Sequence, residues 1–334
     1  MPEIAALDLW AFHVDKFISW TVRAQDLDWS VVLEYGIGMI QPARRLFFGF
    51  DGFPNLLGDR LAINEGRYLF ERESSDMKHS LSSHLLTRPV KVAVIGTGGN
   101  GSIVAMGLPY IHQAMLLAGH PGGLDVTLID GDVVSASNCI RQPFGYSEVG
   151  LPKATVLVSR INLFWDLRWK SIPERLSDNH RLWEFDLVIG CVDTRSARAE
   201  IAKGITGLRS QVSYYLDMGN GVDGGQFVLG QPLNSRNPRK TERLRTVAEL
   251  FPEIVDSSLD DDALPSCSAL ESLERQESFV NQAIASHALA MLARSFRYGG
   301  LDHHHGAFVS LGRQNVQPLL IDPVGWRKLR RRAG

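Results

Sequence analysis

The chain has 334 residues, of which 44% are hydrophobic and 22% are charged, so it can bury a full globular core. Its 35 basic and 37 acidic residues nearly balance, and this charge gives no reason to expect binding to nucleic acid. No apolar run approaches the roughly 18 to 20 residues that a membrane-spanning helix needs, and the N-terminus lacks the basic and apolar regions of a secretory signal. These features predict a cytoplasmic protein without a membrane partner.

The cysteines support a reducing compartment. Cys139, Cys191 and Cys267 are far apart in the sequence, and no two of them form a CxxC pair. This spacing argues against a disulfide scaffold and against a cysteine-rich zinc site.

The first part of the chain differs from the rest. Residues 1–76 contain the aromatic clusters WAFHVDKFISW and RRLFFGFDGF, with turns expected at GFDGF and PNLLGD, and we interpret them as a small α+β extension. The polar, serine-rich stretch SSDMKHSLSSH then leads into one main domain, residues 77–334. Met77 is an alternative start of the natural chain.

From residue 90 onward, apolar strands alternate with helices. In chain order the pattern predicts a strand VKVAVI, a helix from Ser102 to about Ala118, a strand LDVTLID, a helix KATVLVSRINLF started by Pro152, strands LRWKSIP and FDLVIGCVD, a helix from about Arg195 to Gly204, strands VSYYLDM and GGQFVLG, a helix from Gln276 to Arg294, and closing strands AFVSL and QPLLID. This alternation predicts an α/β fold with a doubly wound, mostly parallel sheet. The polar residues of about 231–266 predict a long crossover or lid.

The stretch GTGGNGS lies between the first of these strands and the helix after it. Gly96, Gly98 and Gly101 satisfy the pattern G-x-G-x-x-G, in which glycines permit a tight turn and a close approach of phosphate to a helix N-terminus. Asp130 ends the second strand, where a carboxylate can accept hydrogen bonds from ribose hydroxyls. The loop does not distinguish NAD from ATP, and a helix-packing turn without a ligand is the alternative.

The sequence after Asp130 carries motifs that are more specific than the glycine loop alone. GDVVSASNCIRQPFGYSEVGLPKA contains D-x-D-x-V-x-x-S-N-x-x-R-Q followed by G-x-x-K-A, and GCVDTRSAR matches C-x-D-N-x-x-x-R with Thr194 in place of asparagine. Residues 90 to about 200 therefore resemble the ThiF-type, ubiquitin-activating adenylyltransferase family. Segments such as PSCSALESLERQESFVNQ and FRYGGLDHHHGAFVSL are similar to the ThiF-family protein of bacterial PRTRC systems, which accompanies a small ubiquitin-like protein.

The resemblance implies a Rossmann-like fold of the ubiquitin-activating-enzyme type, with ATP and Mg²⁺ as cofactors. The residues implied to hold the nucleotide are Gly96, Gly98, Gly99, Gly101, Asp130, Asp132, Asn138, Arg141, Gln142 and Lys153. Arg141 and Lys153 are also implied to be catalytic, because they contact phosphates, and Asp193 is the implied magnesium position. Taken singly, Arg141 and Lys153 also suit solvated charges, and Asn138 and Asp193 suit helix caps.

The implied reaction is activation of the C-terminal carboxylate of a small ubiquitin-like or sulfur-carrier protein by a homodimer. Cys267 follows the crossover at an expected helix N-terminus, where a lowered thiol pKa would favour thioester formation. The acidic run of residues 260–262 opposes thiolate formation, and an incidental cysteine is the alternative. We expect Cys139 and Cys191 to be packing thiols.

Several other interpretations stay open. A nucleotide-binding interaction protein without turnover fits the same motifs, whereas an NAD-dependent oxidoreductase lacks a proton-handling pair in the second half. The paired CxxC motifs of sulfur-carrier activators are absent, so we expect no structural zinc, and Arg72 and Arg88 are the candidates for an arginine donated across the dimer. The run DHHH predicts a surface turn rather than a metal site, and the basic end WRKLRRRAG a solvated tail rather than a nucleic-acid contact.

Overall fold

The structure is a computed structural model that describes residues 60–64, 67–71, 78–260 and 278–326. The chain divides into two compact units, Met1–Arg72 and Glu73–Gly334. In the first unit, strands β1 (Arg60–Asn64) and β2 (Arg67–Glu71) form an antiparallel pair. The turns expected at residues 49–59 lie outside the described residues, and the domain boundary after residue 76 stays a prediction.

The second unit is built on an eight-stranded sheet with the order β12-β11-β9-β8-β7-β4-β5-β6. The strands of this unit are β3 (His79–Ser80), β4 (Val90–Ile95), β5 (Leu124–Ile129), β6 (Lys170–Ile172), β7 (Leu187–Gly190), β8 (Tyr214–Asn220), β9 (Gly224–Gly230), β10 (Gly300–Leu301), β11 (His304–Ser310) and β12 (Asn315–Leu320). Strands β6, β5, β4, β7 and β8 are parallel neighbours, whereas β9, β11 and β12 extend the sheet in antiparallel fashion. The predicted fold class, α/β with a mostly parallel sheet, is confirmed.

The helices lie on both faces of this sheet. They are α1 (Gly99–Leu117), α2 (Asn138–Arg141), α3 (Lys153–Trp165), α4 (Arg195–Ile205), α5 (Val247–Leu250) and α6 (Val280–Tyr298), with short 3₁₀ turns between them. The crossover from β4 to β5 runs along the sheet in the opposite direction to the crossover from β7 to β8. Because such crossovers are right-handed, α1 and α4 cover opposite faces. None of the helices in the described ranges has the length and apolar character needed to cross a bilayer.

The sequence explains the central elements locally. Every residue of β4 except Lys91 is buried, and so is every residue of β7, which is typical of parallel strands covered on both faces. Pro152 is the N-cap of α3, as the sequence predicts, because its extended backbone precedes the first helical residue. Gly299, with a φ of 72°, ends α6 in the left-handed conformation that glycine adopts without strain.

The segment after β9 is held by contacts to the rest of the second unit up to residue 260. Asn234 and Asn237 are buried and donate their side-chain amides to the carbonyl of Val212, at 2.8 and 2.9 Å. Arg243 is also buried and pairs with Glu249 in the first turn of α5. These contacts hold the first part of the predicted crossover, and its remainder, 261–266, lies outside the described residues.

The histidine run after α6 differs from its prediction. The sequence predicts a surface turn for residues 302–305, but His304 and His305 begin strand β11 and the side chain of His305 is fully buried. Its Nδ1 bonds the carbonyl oxygen of Leu229 at 2.6 Å, and its ring packs edge-on against Trp326. The turn prediction was wrong for this residue because strand alternation turns it toward the core.

This burial makes folding sensitive to acid. Burial lowers the pKa of His305 to about 4, so the unfolded chain takes up a proton near pH 6.5 that the folded chain does not. The contribution of neutral His305 is therefore complete above pH 6.5 and is lost as the pH falls from 6.5 to about 4. His79 bonds the hydroxyl of Tyr214 at 2.9 Å, and burial lowers its pKa to about 4 as well. The stability that depends on neutral His79 is therefore lost over the same pH range.

We expect His305→Asn to reduce the acid sensitivity, because asparagine can keep the bond to Leu229 and does not titrate. Between pH 7 and pH 5 the variant should lose about 2 kcal/mol less unfolding free energy than the wild type. Urea denaturation at both pH values measures this difference. His303→Asn is the control, since His303 is exposed, and an equal pH dependence in wild type and His305→Asn would contradict the prediction.

Candidate active site

The site lies where the sheet changes winding direction, between β4 and β7. Gly96, which follows β4, has a φ of 83°, and a β-carbon there would stand 2.6 Å from the carbonyl oxygen of Cys191, which follows β7. A β-carbon on Gly101 would stand 1.8 Å from the carbonyl oxygen of Gly96. Only glycine fits at these two positions, and the tight packing places the glycine loop, the N-terminus of α1 and the end of β7 together. Ligands of open α/β sheets bind in this crevice.

Asp130 organises the glycine loop. Its Oδ2 accepts hydrogen bonds from the backbone amide and, at 2.7 Å, from the hydroxyl of Thr97, while its Oδ1 accepts from the amide of Asp132 at 2.8 Å. Three donors therefore already share this carboxylate, which fixes the loop after β4 to the loop after β5. Contact of Asp130 with a ribose stays a prediction.

A short ladder positions Lys153 at the start of α3. Val134 and residues 150–151 exchange backbone bonds, and the amide of Lys153 donates to the carbonyl of Asp132 at 3.0 Å. The Lys153 side chain is buried, and its Nζ lies 3.3 Å from Oδ2 of the exposed Asp132. The Lys153 ammonium is thus held beside Asp132, in the loop that follows β5.

Asp193 is the point at which the predicted charges meet. It is accessible to solvent, yet the protein that surrounds it in the crevice raises the pKa of its carboxyl through desolvation. Arg198 and Lys153 act against this shift, whereas Asp132 and Asp130 add to it. Desolvation also lowers the pKa of the half-buried Arg141, and Asp193 opposes that change. The structure therefore brings most of the predicted charged residues within electrostatic reach of one another.

Asn138 and Gln142 bracket the short helix α2. The Oδ1 of Asn138 accepts a bond from the amide of Ser135 at 2.9 Å, so this side chain holds the loop before α2. The Gln142 amide faces the glycine loop, with Nε2 3.9 Å from where a β-carbon on Gly98 would stand. Its Oε1 is buried and has no hydrogen-bond partner among the described residues, which leaves an acceptor for a ligand.

Beneath Asp193 lies a buried polar cluster that the sequence did not identify as a whole. Arg198 Nε contacts Asp217 Oδ1 at 3.2 Å, and the hydroxyl of Tyr215 donates to the same oxygen at 2.7 Å. Burial raises the pKa of Asp217 and of the neighbouring Cys191 thiol. Cys191 is thus a packing thiol, as predicted. Arg198 belongs to the recognised motif GCVDTRSAR, but no pattern indicated Asp217, which lies inside an apolar strand.

Cys267 lies outside the described residues, but the chain on either side of it is tied to the crevice. Asp260 accepts bonds from the amides of Arg195 and Ser196, at 2.7 and 2.9 Å, and so caps α4 just after Asp193. Asn281, near the start of α6, lies so close to Gly99 that a β-carbon there would stand 2.3 Å from its Nδ2. Asp260 and Asn281, the described residues on either side of this stretch, therefore both lie at the site.

Arg88 lies at the other end of the sheet. Its guanidinium bonds both carboxylate oxygens of Asp186, at 2.6 and 2.9 Å, and Asp186 also accepts from the amide of Lys91 at the start of β4. This position lies at the amino ends of the strands, and a role for Arg88 as an arginine donated across a dimer stays a prediction. Arg72 lies outside the described residues.

The chemistry of the crevice fits a magnesium ion that is shared with phosphate. Within the described ranges, no group of three or more His, Cys, Asp or Glu side chains is arranged to hold a metal. Asp193 nevertheless lies in the field of two further carboxylates. Mg²⁺ commonly binds through one or two carboxylates together with substrate phosphates and waters. Asp193 is the residue that would hold it here.

Together, the fold and the crevice define an α/β protein with a tight glycine-rich loop at its switch point. A scan against protein families matches residues 80–291 to the ThiF family, and because this is more than half of the sequence, the chain belongs to that family.

Solved structures with similar folds include PaaA, at 18% identity and a TM-score of 0.47, and E. coli MccB, at 18% identity and a TM-score of 0.45. In both cases the match covers 70% of this chain and 64% of the other, so the chain spans less than two thirds of their length. E. coli MccB in a structure with ATP matches at 16% identity, over the same shares of both chains, with a TM-score of 0.45. No curated protein matches the sequence.

We expect Asp130→Ala to loosen the glycine loop, because three donors in Thr97 and Asp132 lose their acceptor. The unfolding free energy should fall by about 1–3 kcal/mol, and hydrogen exchange of the Thr97 amide should accelerate. Thr97→Val is the matched variant, since it removes the hydroxyl bond alone and should keep the amide protected. Equal protection of this amide in wild type and Asp130→Ala would contradict the role of Asp130.

Proposed function

We propose that this protein is an ATP-dependent adenylyltransferase that activates the C-terminal carboxylate of a small ubiquitin-like or sulfur-carrier protein. Within the ThiF family we propose the PRTRC type. The observation that carries the proposal is the tight packing of Gly96 against Cys191, which places Asp193 at the crevice beside the glycine loop. Arg141 and Lys153 lie within electrostatic reach of Asp193. These are the residues that the sequence motifs assign to phosphate and metal.

The reaction joins two anions. A carboxylate oxygen of the carrier attacks the α-phosphorus of ATP, a P–O bond forms to give an acyl-adenylate, and the bond to the β-phosphate oxygen breaks as pyrophosphate leaves with the electron pair. Catalysis then consists of positioning and of charge neutralisation. Arg141 can offer two parallel N–H donors to phosphate oxygens, whereas Lys153 supplies a compact positive charge.

The remaining residues hold the reactants. The amides at the N-terminus of α1 are directed at the phosphates, and Gln142 Oε1 and the Asp130 carboxylate can accept ligand hydroxyl or amine donors. Asp193 would hold a magnesium ion, which would neutralise the charge that develops on pyrophosphate. Burial of Lys153 keeps its ammonium away from bulk water, which strengthens its attraction for phosphate.

Cys267 is the proposed acceptor in a second step. Its thiolate attacks the carbonyl carbon of the acyl-adenylate, a thioester forms, and AMP leaves with the electron pair. The support is the attachment of both flanking segments to the crevice, through Asp260 on α4 and Asn281 at Gly99. Asp260 is occupied with two backbone amides, so its charge is partly compensated there.

The proposed assembly is a homodimer, and an exposed aromatic face supports it. This face consists of Tyr110 and Leu117 on α1 and Leu163, Phe164 and Trp165 on α3. Leu117, Leu163 and Phe164 are 80–90% exposed, and the rings of Tyr110 and Trp165 lie 4.8 Å apart. A contiguous apolar surface of this kind on a folded domain commonly marks an interface.

We expect exchange of labelled pyrophosphate into ATP when Mg²⁺ and a small ubiquitin-like protein of the PRTRC type are present. Lys153→Met and Asp193→Asn should each lower the exchange rate by about 10²-fold or more, because each removes a charge that acts on the transferring phosphate. Lys203→Met is the control, since Lys203 is exposed and pairs with Asp178 away from the crevice.

The same assay separates the alternatives. ATP binding without exchange would favour a nucleotide-binding interaction protein, and protection of the fold by NAD but not by ATP would favour an oxidoreductase. Either result contradicts the proposal. Intact mass under non-reducing conditions then tests Cys267: a thiol-sensitive adduct should form in the wild type and be lost in Cys267→Ala, and its persistence in that variant would exclude this cysteine.

We expect Phe164→Asp to convert a dimer into a monomer, because a charge in the aromatic face would have to be buried without a partner. Sedimentation equilibrium measures the mass. Leu208→Asp is the matched control, since Leu208 is 89% exposed outside this face. A monomeric wild type, or an unchanged dimer in Phe164→Asp, would argue against this interface.

A further inference from the structure

A buried amide at the start of α1 has an unused acceptor. Asn100 is the second residue of α1, and only 4% of it is exposed. Its Nδ2 donates to Oδ1 of Asn220 at 3.1 Å, but its own Oδ1 is buried and has no hydrogen-bond partner within the described ranges. A buried oxygen in this state costs free energy until a donor reaches it.

The neighbours of Asn100 lie at the edge of the crevice. Asn220 is the last residue of β8, at the same carboxyl edge of the sheet as the glycine loop, and it is exposed. Gly98, the N-cap of α1, has no side chain with which to cap the helix, so it leaves the first amides of this 19-residue helix without a side-chain acceptor. Asn281 packs against Gly99 on the same side. Asn100 therefore stands between an anion-attracting helix end and an exposed amide.

The N-terminus of α1 and the unpaired Asn100 oxygen together indicate which ligand fits between them. A helix N-terminus favours an anion, but phosphate at neutral pH offers few or no donors to an amide oxygen. The C-terminal residue of a peptide has both groups that are needed: a carboxylate and, one residue's span away, a backbone N–H. Asp130 and Lys153, which are assigned to the nucleotide, lie on the β5 side of the loop, whereas Asn100 and Asn220 lie on the β8 side.

We infer that Asn100 and Asn220 form a subsite for the C-terminal peptide unit of the carrier, in which Asn100 Oδ1 accepts the backbone N–H of the last residue. As the carrier chain arrives, the exposed side-chain amide of Asn220 rotates. The backbone N–H of the carrier then reaches Asn100 Oδ1. The inference rests on the proposed function, and it names the group by which the carrier's terminus is held beside the α-phosphate. Asn100 is a positioning residue, because it contacts the peptide unit next to the reacting carboxylate.

The test removes the backbone N–H from the last residue of the carrier, and separately removes the Asn100 oxygen from the protein. Two semisynthetic ubiquitin-like carriers end in glycine or in N-methylglycine, and pyrophosphate exchange gives the KM for each. The wild type should show a KM about tenfold higher for the N-methylated carrier, because the buried oxygen then stays unpaired. Asn100→Leu should bind the two carriers with equal KM, while its KM for ATP stays at the wild-type value.

Asn220→Ala provides a second variant, because Asn220 is exposed and its truncation leaves the core of α1 intact. It should raise the KM for the glycine carrier and reduce the difference between the carriers. Equal KM values for both carriers in the wild type would overturn the subsite, as would a rise in the KM for ATP alone in Asn100→Leu. Absence of exchange with either carrier would instead overturn the proposed function, and this inference with it.

Discussion

The close contact between the Gly96 backbone and the carbonyl of Cys191 governs the geometry of the crevice. Since a β-carbon at Gly96 would lie 2.6 Å from that carbonyl oxygen, the loops after β4 and β7 can meet only if residue 96 is glycine. Gly101 allows α1 to close on the same turn. As a result, the helix N-terminus that attracts phosphate and the carboxylate of Asp193, two residues beyond Cys191, share one opening. A wider separation of β4 and β7 would place these groups in different pockets.

The carboxylates of Asp130 and Asp193 differ in how far other groups of the protein already bind them. Asp130 is occupied by Thr97 and by the amide of Asp132, so a large part of its hydrogen-bonding capacity maintains the loop. Asp193 differs, because desolvation by the crevice raises the pKa of its carboxyl. A cation placed beside Asp193 would stabilise the ionised form. A metal ion and a triphosphate would therefore bind most favourably together, since each would compensate a charge that the other introduces.

The sequence predicts those parts of the fold that local patterns determine. The strand VKVAVI matches β4 because a run that is apolar except for Lys91, between Pro89 and a glycine turn, suits a buried parallel strand. The predicted C-terminal helix, in contrast, ends four residues early at Arg294, because the stop is set by Gly299 rather than by the apolar periodicity. Contacts between distant residues carry no local pattern. The bond from Asn100 to Asn220 and the capping of α4 by Asp260 join segments that only the folded sheet brings together.

The buried pair of Arg198 and Asp217 shows what the crevice requires of the core beneath it. Burial of two opposite charges seldom adds net stability, because the loss of hydration offsets the attraction. Here the pair has further partners, since Tyr215 donates to Asp217 and Arg198 also donates to the carbonyl of Met218 at 3.2 Å. These directed bonds join α4 to β8. Because α4 begins two residues after Asp193 and β8 ends at Asn220, the same pair fixes the distance between the proposed metal position and the carrier subsite.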